Sequence, residues 1–404
     1  MDLDTIQITL PSSKSLSNRW LMLDYMSRTG IKIKNISSSN DTQQLSRLLH
    51  QLKAGRRHNF DCHDAATVAR FLMALLSITP GTHTLTGSEQ LCRRPMAQLI
   101  DALRQAGCSI TCTKEEGFLP VKIEGVIPSA KRVKIDCSVS SQYASALLLS
   151  AATMPQGGMV ELVGAPASEP YIDMTLRVME QAKVQWVLKG NPPTYYVEHS
   201  IPQCDMVSIE KDWPSASYFF EAVSLLPDVP VRLPGLQRES LQGDKVLRDI
   251  YETLGLDILQ AEQSVEIRRD GDFATSFEWD FTNTPDLVPA VAVTCAALGI
   301  EARLMGVDNL RHKESNRIQS IVEGLSLLGR EVAYADGVMT IAAGEPFSEQ
   351  NHPDEIEIDS HDDHRIAMAF GALSVILPKL KVSNPDCVAK SFPDFWKMLD
   401  RLKW

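Results

Sequence analysis

Two kinds of apolar pattern alternate along this chain. The first is a run that is apolar nearly all round, rich in small residues and opened by Ser, Thr, Asp or His. Six such runs occur, beginning near Ser12 (SSKSLSNRWLMLDYMS), His63 (HDAATVARFLMALLS), Ser138 (SVSSQYASALLLSAA), Asp212 (DWPSASYFFEAVSLL), Thr284 (TPDLVPAVAVTCAAL) and His361 (HDDHRIAMAFGALSV). A helix without a polar face belongs in a protein interior, so these six are expected to be buried. The second kind is amphipathic, with Leu or Ile at spacings of three and four and often a closing Gly. RPMAQLIDALRQAG, SEPYIDMTLRVMEQA, LQGDKVLRDIYETLG and KESNRIQSIVEGLSLLG are examples. They predict outer helices, most of them capped by glycine.

Short β-rich runs fill the remainder: VKIEGV, MVELVG, TYYVEH, VRLPG, SVEIRR, VMTIAA, EIEIDS and LKVSN. Each unit then holds one buried helix, one outer helix and about four short strands. From the second run onward the units recur roughly every 75 residues, the signature of a repeat architecture. Six units divide as three plus three. The expected domains are 13–211 and 1–12 plus 212–404, with the active site in the cleft between them. The opening strand IQITLP lies apart from a unit of its own and is expected to pair with the last unit. Only about 50 residues separate Ser12 from His63, so the first unit is expected to lack a strand pair.

Composition narrows the function. At 404 residues the chain is long enough for two or three cores, and a net charge of −11 argues against a nucleic-acid or membrane-surface partner, which needs a basic face. The start, MDLDTIQITLP, has neither the cationic nor the apolar stretch of a signal peptide, and no apolar run is long enough to cross a bilayer. Eight scattered cysteines without a CxxC pair suit a reducing, cytoplasmic compartment.

Cations nevertheless gather at the starts of the buried runs. PSSKSLSNR puts Lys14 and Arg19 among Ser12, Ser13 and Ser15 just ahead of an apolar helix, which suits a phosphate or carboxylate, although serines there can also simply cap the helix. Equivalent positions carry Thr67 and Arg70; Ser140, Ser141 and Gln142; Asp286; and His364 and Arg365. Arg93 and Arg94, Lys313, Glu314 and Arg317, and Lys390 stand nearby in sequence. Helical spacing puts Lys313 and Arg317 on one face with Glu314 beside them. So many cations in an acidic chain point to a small polyanionic ligand, with Asp286, Glu314 and Lys14 available as acid or base. Each of these carboxylates has a plainer reading as a cap or ion-pair partner. His361-Asp362-Asp363-His364 is not a closed metal-ligand set, and neither a P-loop nor a GxSxG elbow is present.

The runs LPSSKSLSNR, DAATVAR, RRPMAQLIDALRQAG, SVSSQY, SEPYIDMTL, SASYF, SLQGD, TPD, NLRHKESNRI, DDHRIAM and AKSFPDF, in this order, resemble the EPSP synthase (3-phosphoshikimate 1-carboxyvinyltransferase) family over nearly the full length. The resemblance implies an α/β fold of two domains. Each domain is built of three βαβαββ-type repeats around buried parallel helices, an inverse α/β barrel-like arrangement, here with the first repeat shortened. It implies transfer of the enolpyruvyl group of phosphoenolpyruvate to the 5-hydroxyl of shikimate 3-phosphate in the shikimate pathway, toward chorismate and the aromatic amino acids. It also implies that no metal or organic cofactor is needed. A cytoplasmic monomer is expected, with these two small molecules as partners.

Carried over by position, Lys14, Ser15, Arg19, Ser140, Ser141, Ser168, Tyr171, Asp286, Asn309 and Lys313 would hold shikimate 3-phosphate. Lys14, Ala66, Arg94, Gln142, Arg317, Arg365 and Lys390 would hold phosphoenolpyruvate. Asp286, Glu314 and Lys14 would be catalytic.

Five positions depart from the family pattern. Ser12 replaces a glycine, Asp64 an asparagine, Ala66 a glycine and Phe71 a proline; a lysine often found before Pro-Tyr is Glu169 here. The methyl of Ala66 is expected to weaken inhibitors longer than phosphoenolpyruvate, such as glyphosate, and Asp64 adds negative charge near an anion site. The related transferase acting on UDP-N-acetylglucosamine is the nearest alternative; it would need Lys-Asn where this chain has Lys14-Ser15, and a reactive loop cysteine. A non-catalytic anion-binding relative is the other, and retention of Asp286 and Glu314 speaks against it.

Overall fold

The computed structural model describes residues 5–403 apart from 56, 57, 127–131, 139, 165–167, 228 and 353. The outer ends of the expected domains, 1–4 and 404, and Val139 of the SVSSQY motif lie outside the described residues. The chain forms two compact units. One is Lys14–Ile209; the other takes the chain up to Ser13 and from Glu210 onward. At the two crossings the Ser13 amide donates to the Glu210 carbonyl at 2.8 Å and the Asp212 amide to the Pro11 carbonyl at 3.0 Å, so these short stretches travel together into the second unit.

The six all-round apolar runs are helices: Lys14–Met26, Ala66–Ile78 and Ser141–Ala151 in the first unit, and Trp213–Leu225, Val288–Leu298 and His364–Ala372 in the second. Every residue of Trp213–Leu225 is buried, as a helix with no polar face requires. In the second unit the three pack on one another, and in the first Ser141–Ala151 packs on both others. Phe395 meets Phe219 and Phe392 edge to face beside them, and Phe219 and Phe392 are tilted to each other, with centroids 5.9–6.2 Å apart. The amphipathic runs form outer helices such as Ala97–Gln105, Pro170–Gln181, Leu247–Leu254 and Arg317–Leu327. Gly255 closes Leu247–Leu254 at φ 114°, a left-handed conformation that glycine adopts without a Cβ penalty.

Each full repeat carries a four-stranded sheet. In the second repeat Asn59–Asp61 runs parallel to Gly81–Thr86, which pairs antiparallel with Val121–Gly125, itself antiparallel to Ser109–Cys112. The first repeat has only a two-stranded sheet, Lys32–Lys34 parallel to Met206–Ser208. The sixth is short as well, with Ile356–Ile358 parallel to Leu380–Val382.

The opening strand corrects one expectation. Ile6–Gln7 does not join the last repeat but runs parallel to Val231–Pro234 of the fourth. The reason is an exchange. The strand that precedes the fourth repeat's helix in sequence, Met206–Ser208, is committed to the first repeat, so the fourth takes its missing parallel strand from the N-terminal stretch.

One close approach in the second unit depends on a glycine. A Cβ added at Gly324 would meet the Phe370 ring at 2.3 Å. Glycine there lets Arg317–Leu327 lie directly on His364–Ala372, and each of these helices carries an arginine in its first turn, Arg317 and Arg365.

Candidate functional site

The residues singled out by sequence fall into two groups, one on each unit. In Lys14–Ile209 the Lys14 ammonium opens its helix and pairs at 3.2 Å with Asp41, a buried residue in the first turn of Asn40–Lys53. Arg19, only 1% exposed, donates Nε to Thr175 Oγ1 (2.7 Å), Nη1 to the Ser15 carbonyl (2.9 Å), and Nη2 to the Tyr171 carbonyl (2.9 Å) and Ser145 Oγ (3.3 Å). All these acceptors are neutral. Burial therefore lowers the Arg19 pKa to about 10, still a cation at neutral pH.

Arg70 donates to Gln142 Oε1 at 2.6 Å and lies 5.1 Å from the centroid of the Tyr143 ring. Ser140 caps Ser141–Ala151, its hydroxyl accepting from the Gln142 amide at 3.3 Å, so the plainer capping role holds for that serine. Ser141 is buried behind it. Ser168 is buried at φ 61°, a conformation a non-glycine residue adopts at a cost, and its carbonyl accepts from the Tyr171 amide. Arg94 is largely buried just past Glu89–Cys92, whereas Arg93 is exposed and paired with Glu89. Ala66 is buried at the first position of its helix, and the N-cap residue Ala65 offers no side-chain acceptor. The Asp64 carboxylate accepts from Ser88 Oγ.

The second unit gathers its site residues into one ion-pair network. Asp286 stands on the 3-10 turn Pro285–Leu287 that leads into Val288–Leu298. It meets Arg365 Nη2 at 2.6 Å, Arg317 Nη1 at 3.2 Å and Lys313 Nζ at 3.8 Å. Glu314 accepts from Arg317 Nη2 at 2.7 Å and lies 4.0 Å from Lys390 Nζ. Burial alone would raise the Asp286 pKa, but Arg365, Lys313 and Arg317 together outweigh it and hold the group far below the usual carboxylate range. Arg317 is 1% exposed; burial opposes its charge, yet Asp363, Glu314 and Asp286 raise its pKa above the ordinary guanidinium value. Arg365 Nη1 also donates to the Tyr218 hydroxyl at 3.4 Å, and burial pushes that phenol up to about 12. Asn309 has a buried Oδ1 without a hydrogen-bond partner among the described residues.

Sequence reasoning missed Asp363, Tyr218, Thr175, Ser145 and Asp41 as supports. Asp363 carried a local signal, an Asp immediately before an apolar helical run, which is an N-cap pattern, and Tyr218 and Thr175 lie inside the family runs SASYF and SEPYIDMTL. No group of His, Cys, Asp and Glu among the described residues is arranged to hold a metal ion.

Two units of repeats around buried helices, each carrying a cluster of cations, share their fold with solved enolpyruvyl transferases. A solved structure of EPSP synthase from Acinetobacter baumannii superposes with a TM-score of 0.76 at 21% identity, covering 98% of this chain and 95% of that one. The enolpyruvyl transferase NikO from Streptomyces tendae does so at 0.75 and 15%, covering 99% and 94%. Sequence carries the assignment further. The 3-phosphoshikimate 1-carboxyvinyltransferase of Bacteroides fragilis (strain YCH46) is 33% identical over 97% of this chain and 94% of its own length, and that of Sulfurovum sp. is 31% identical over 98% and 96%. The profile of the family described as EPSP synthase (3-phosphoshikimate 1-carboxyvinyltransferase) matches residues 54–399, and the chain belongs to that family.

Proposed function

We propose that the two groups of residues act on one substrate pair, phosphoenolpyruvate and shikimate 3-phosphate, giving 5-enolpyruvylshikimate 3-phosphate and phosphate. The observation that carries this reading is the Asp286 network. Two carboxylates that can move protons, Asp286 and Glu314, are held by four cations, Arg317, Arg365, Lys313 and Lys390, suited to a ligand with both a carboxylate and a phosphate.

The network also suggests how a base is made available. With Arg365, Lys313 and Arg317 on it, Asp286 is a poor proton acceptor. When the anionic groups of phosphoenolpyruvate take Arg317 and Arg365, Asp286 loses their field and its affinity for a proton rises. It then accepts the proton of the 5-hydroxyl as that oxygen bonds to C2 of the enol. C3 takes a proton from Glu314 or Lys14, which gives a tetrahedral intermediate. Loss of a C3 proton and cleavage of the bond from C2 to the phosphate oxygen restore the double bond and release phosphate, whose charge the cations stabilise.

Lys14, Ser15, Arg19, Ser140, Ser141, Ser168 and Tyr171, with Asp286, Asn309 and Lys313, are assigned to shikimate 3-phosphate. The open acceptor on Asn309 suits a substrate hydroxyl. Lys14, Ala66, Arg94, Gln142, Arg317, Arg365 and Lys390 are assigned to phosphoenolpyruvate. One chain carries every group the reaction needs, and the free cysteines fit a cytoplasmic setting. Phosphate release should require both substrates and fall at least ~1000-fold in Lys14→Met, given what removal of a charge-stabilising group costs. Binding of both substrates without release would instead support a non-catalytic relative.

A further inference from the structure

Asp363 is 0% exposed, and Ser315, Arg317 and Arg365 of the same unit donate to its carboxylate. Oδ2 accepts from Arg317 Nε at 2.7 Å, from Ser315 Oγ at 3.2 Å and from the Ser315 amide at 3.3 Å. Oδ1 accepts from Arg317 Nη2 at 3.2 Å and from the Arg365 amide at 2.9 Å, which makes Asp363 the N-cap of His364–Ala372. One carboxylate thus grips the segment next to Glu314, one edge of Arg317 and the turn that carries Arg365.

Arg317 has three carboxylate partners, and they are not equivalent. The side chains of Asp286 and Glu314 are 19% and 12% exposed, so water or a ligand can replace them on the guanidinium. Asp363 has no such exchange open to it. Releasing it would strand a charge in the interior and strip the cap from a helix at the same time. A guanidinium has two edges, and a carboxylate forked on Nε and Nη2 leaves the outer Nη1 and Nη2 hydrogens for another anion.

We propose that Asp363 is a positioning residue for the transfer. It is the permanent counter-ion that fixes the inner edge of Arg317, and with it the turn of Arg365, so that both guanidinium groups meet phosphoenolpyruvate already oriented. This rests on the reaction assigned above. Asp286 and Glu314 are the exchangeable partners and Asp363 the fixed one. Asn cannot substitute, because its single carbonyl oxygen would have to serve donors that now divide between two oxygens, and its NH2 would face donors. Ser keeps a good helix cap while abolishing the fork on Arg317.

The test is steady-state phosphate release by the full-length enzyme, in wild type, Asp363→Ser, Arg317→Ala and the double variant, with each substrate varied. Thermal unfolding controls for folding. The expected result for Asp363→Ser is a KM for phosphoenolpyruvate raised at least ~10-fold, the size of a lost charge-assisted hydrogen bond, with KM for shikimate 3-phosphate within about threefold of wild type. On the Arg317→Ala background the same change should add less than about threefold, because a residue acting through Arg317 has nothing left to position. An unchanged KM for phosphoenolpyruvate, an equal rise in both KM values, or full multiplication on Arg317→Ala overturns the assignment. If Asp363→Ser does not fold, Asp363→Asn is put through the same cycle with the same outcomes. A wild type that releases no phosphate overturns the transfer reading itself; a normal wild type with a normal Asp363→Ser overturns only the role of Asp363.

Discussion

Arg19 and Arg317 are equally sealed, each 1% exposed, yet the two units treat these charges in opposite ways. Around Arg19 the hydrogen-bond acceptors are two backbone carbonyls and two hydroxyls; around Arg317 they are three carboxylates. Burial is the same, so the partners decide the outcome. The pKa of Arg19 falls and that of Arg317 rises. Neutral acceptors fix the geometry of a cation without cancelling its charge, which leaves Arg19 a standing attraction for an anion. Carboxylates cancel the charge of Arg317, so a ligand must win it by displacement. Lys14, paired with Asp41, is the first unit's exception.

The largest expected effect breaks this comparison directly. Arg317→Met leaves Asp363 charged, buried and without its counter-ion, a loss of about 3–5 kcal/mol. Arg19→Met deprives only neutral acceptors and should cost about 1–3 kcal/mol. Urea unfolding of the two variants beside wild type measures both. A penalty for Arg19→Met equal to or above that for Arg317→Met would mean that the difference in partners does not govern how each charge is held.

The same contrast marks what sequence could reveal. The six buried helices were legible because an all-round apolar run states its own burial, and the cations at their starts stood out in an acidic chain. The family motifs then ordered them. The partners were not legible: Thr175 lies 156 positions from Arg19, and Asp363 lies 46 from Arg317. Local pattern showed Asp363 as a cap but gave no sign of the guanidinium it grips. The opening strand was misplaced for a related reason. Ile6–Gln7 is two residues long, and its pairing follows from which repeat lacks a strand, a fact of topology that the segment's own residues do not encode.

A second carboxyl in the second unit sharpens the role of the counter-ion. Glu221 is 0% exposed on Trp213–Leu225, and neither of its oxygens has a hydrogen-bond partner among the described residues. Burial raises its pKa well above the ordinary carboxylate value, the reverse of Asp286. Burial in the folded protein therefore favours the protonated form of Glu221, while the unfolded chain ionises it more readily. Its contribution is at its best below the unfolded pKa of about 4.3 and declines as pH rises toward the folded value, by up to ~1.4 kcal/mol per pH unit. Glu221→Leu should be more stable than wild type at pH 8, with an advantage that shrinks toward pH 5. Urea unfolding across that range measures it. A difference that does not change with pH would show Glu221 to be ionised in the folded protein, and so to have a partner as Asp363 does.

The smallest expected effect concerns the first unit, where Ala66 is one of the residues proposed to meet phosphoenolpyruvate. Ala66 is buried at the first position of its helix, and its methyl occupies space that a glycine would leave open. If phosphoenolpyruvate binds beside Ala66 as proposed, the methyl is expected to leave room for it but to crowd a longer anion such as glyphosate. Ala66→Gly should tighten glyphosate inhibition about 10-fold, a steric gain of ~1.4 kcal/mol, and leave KM for phosphoenolpyruvate within about twofold. Stability should fall by no more than ~1 kcal/mol, the cost of glycine in a helix. Inhibition constants for wild type and variant decide the matter. Equal inhibition of both would place the methyl away from the ligand, and selectivity in this unit would then have to come from its charges, as in the other.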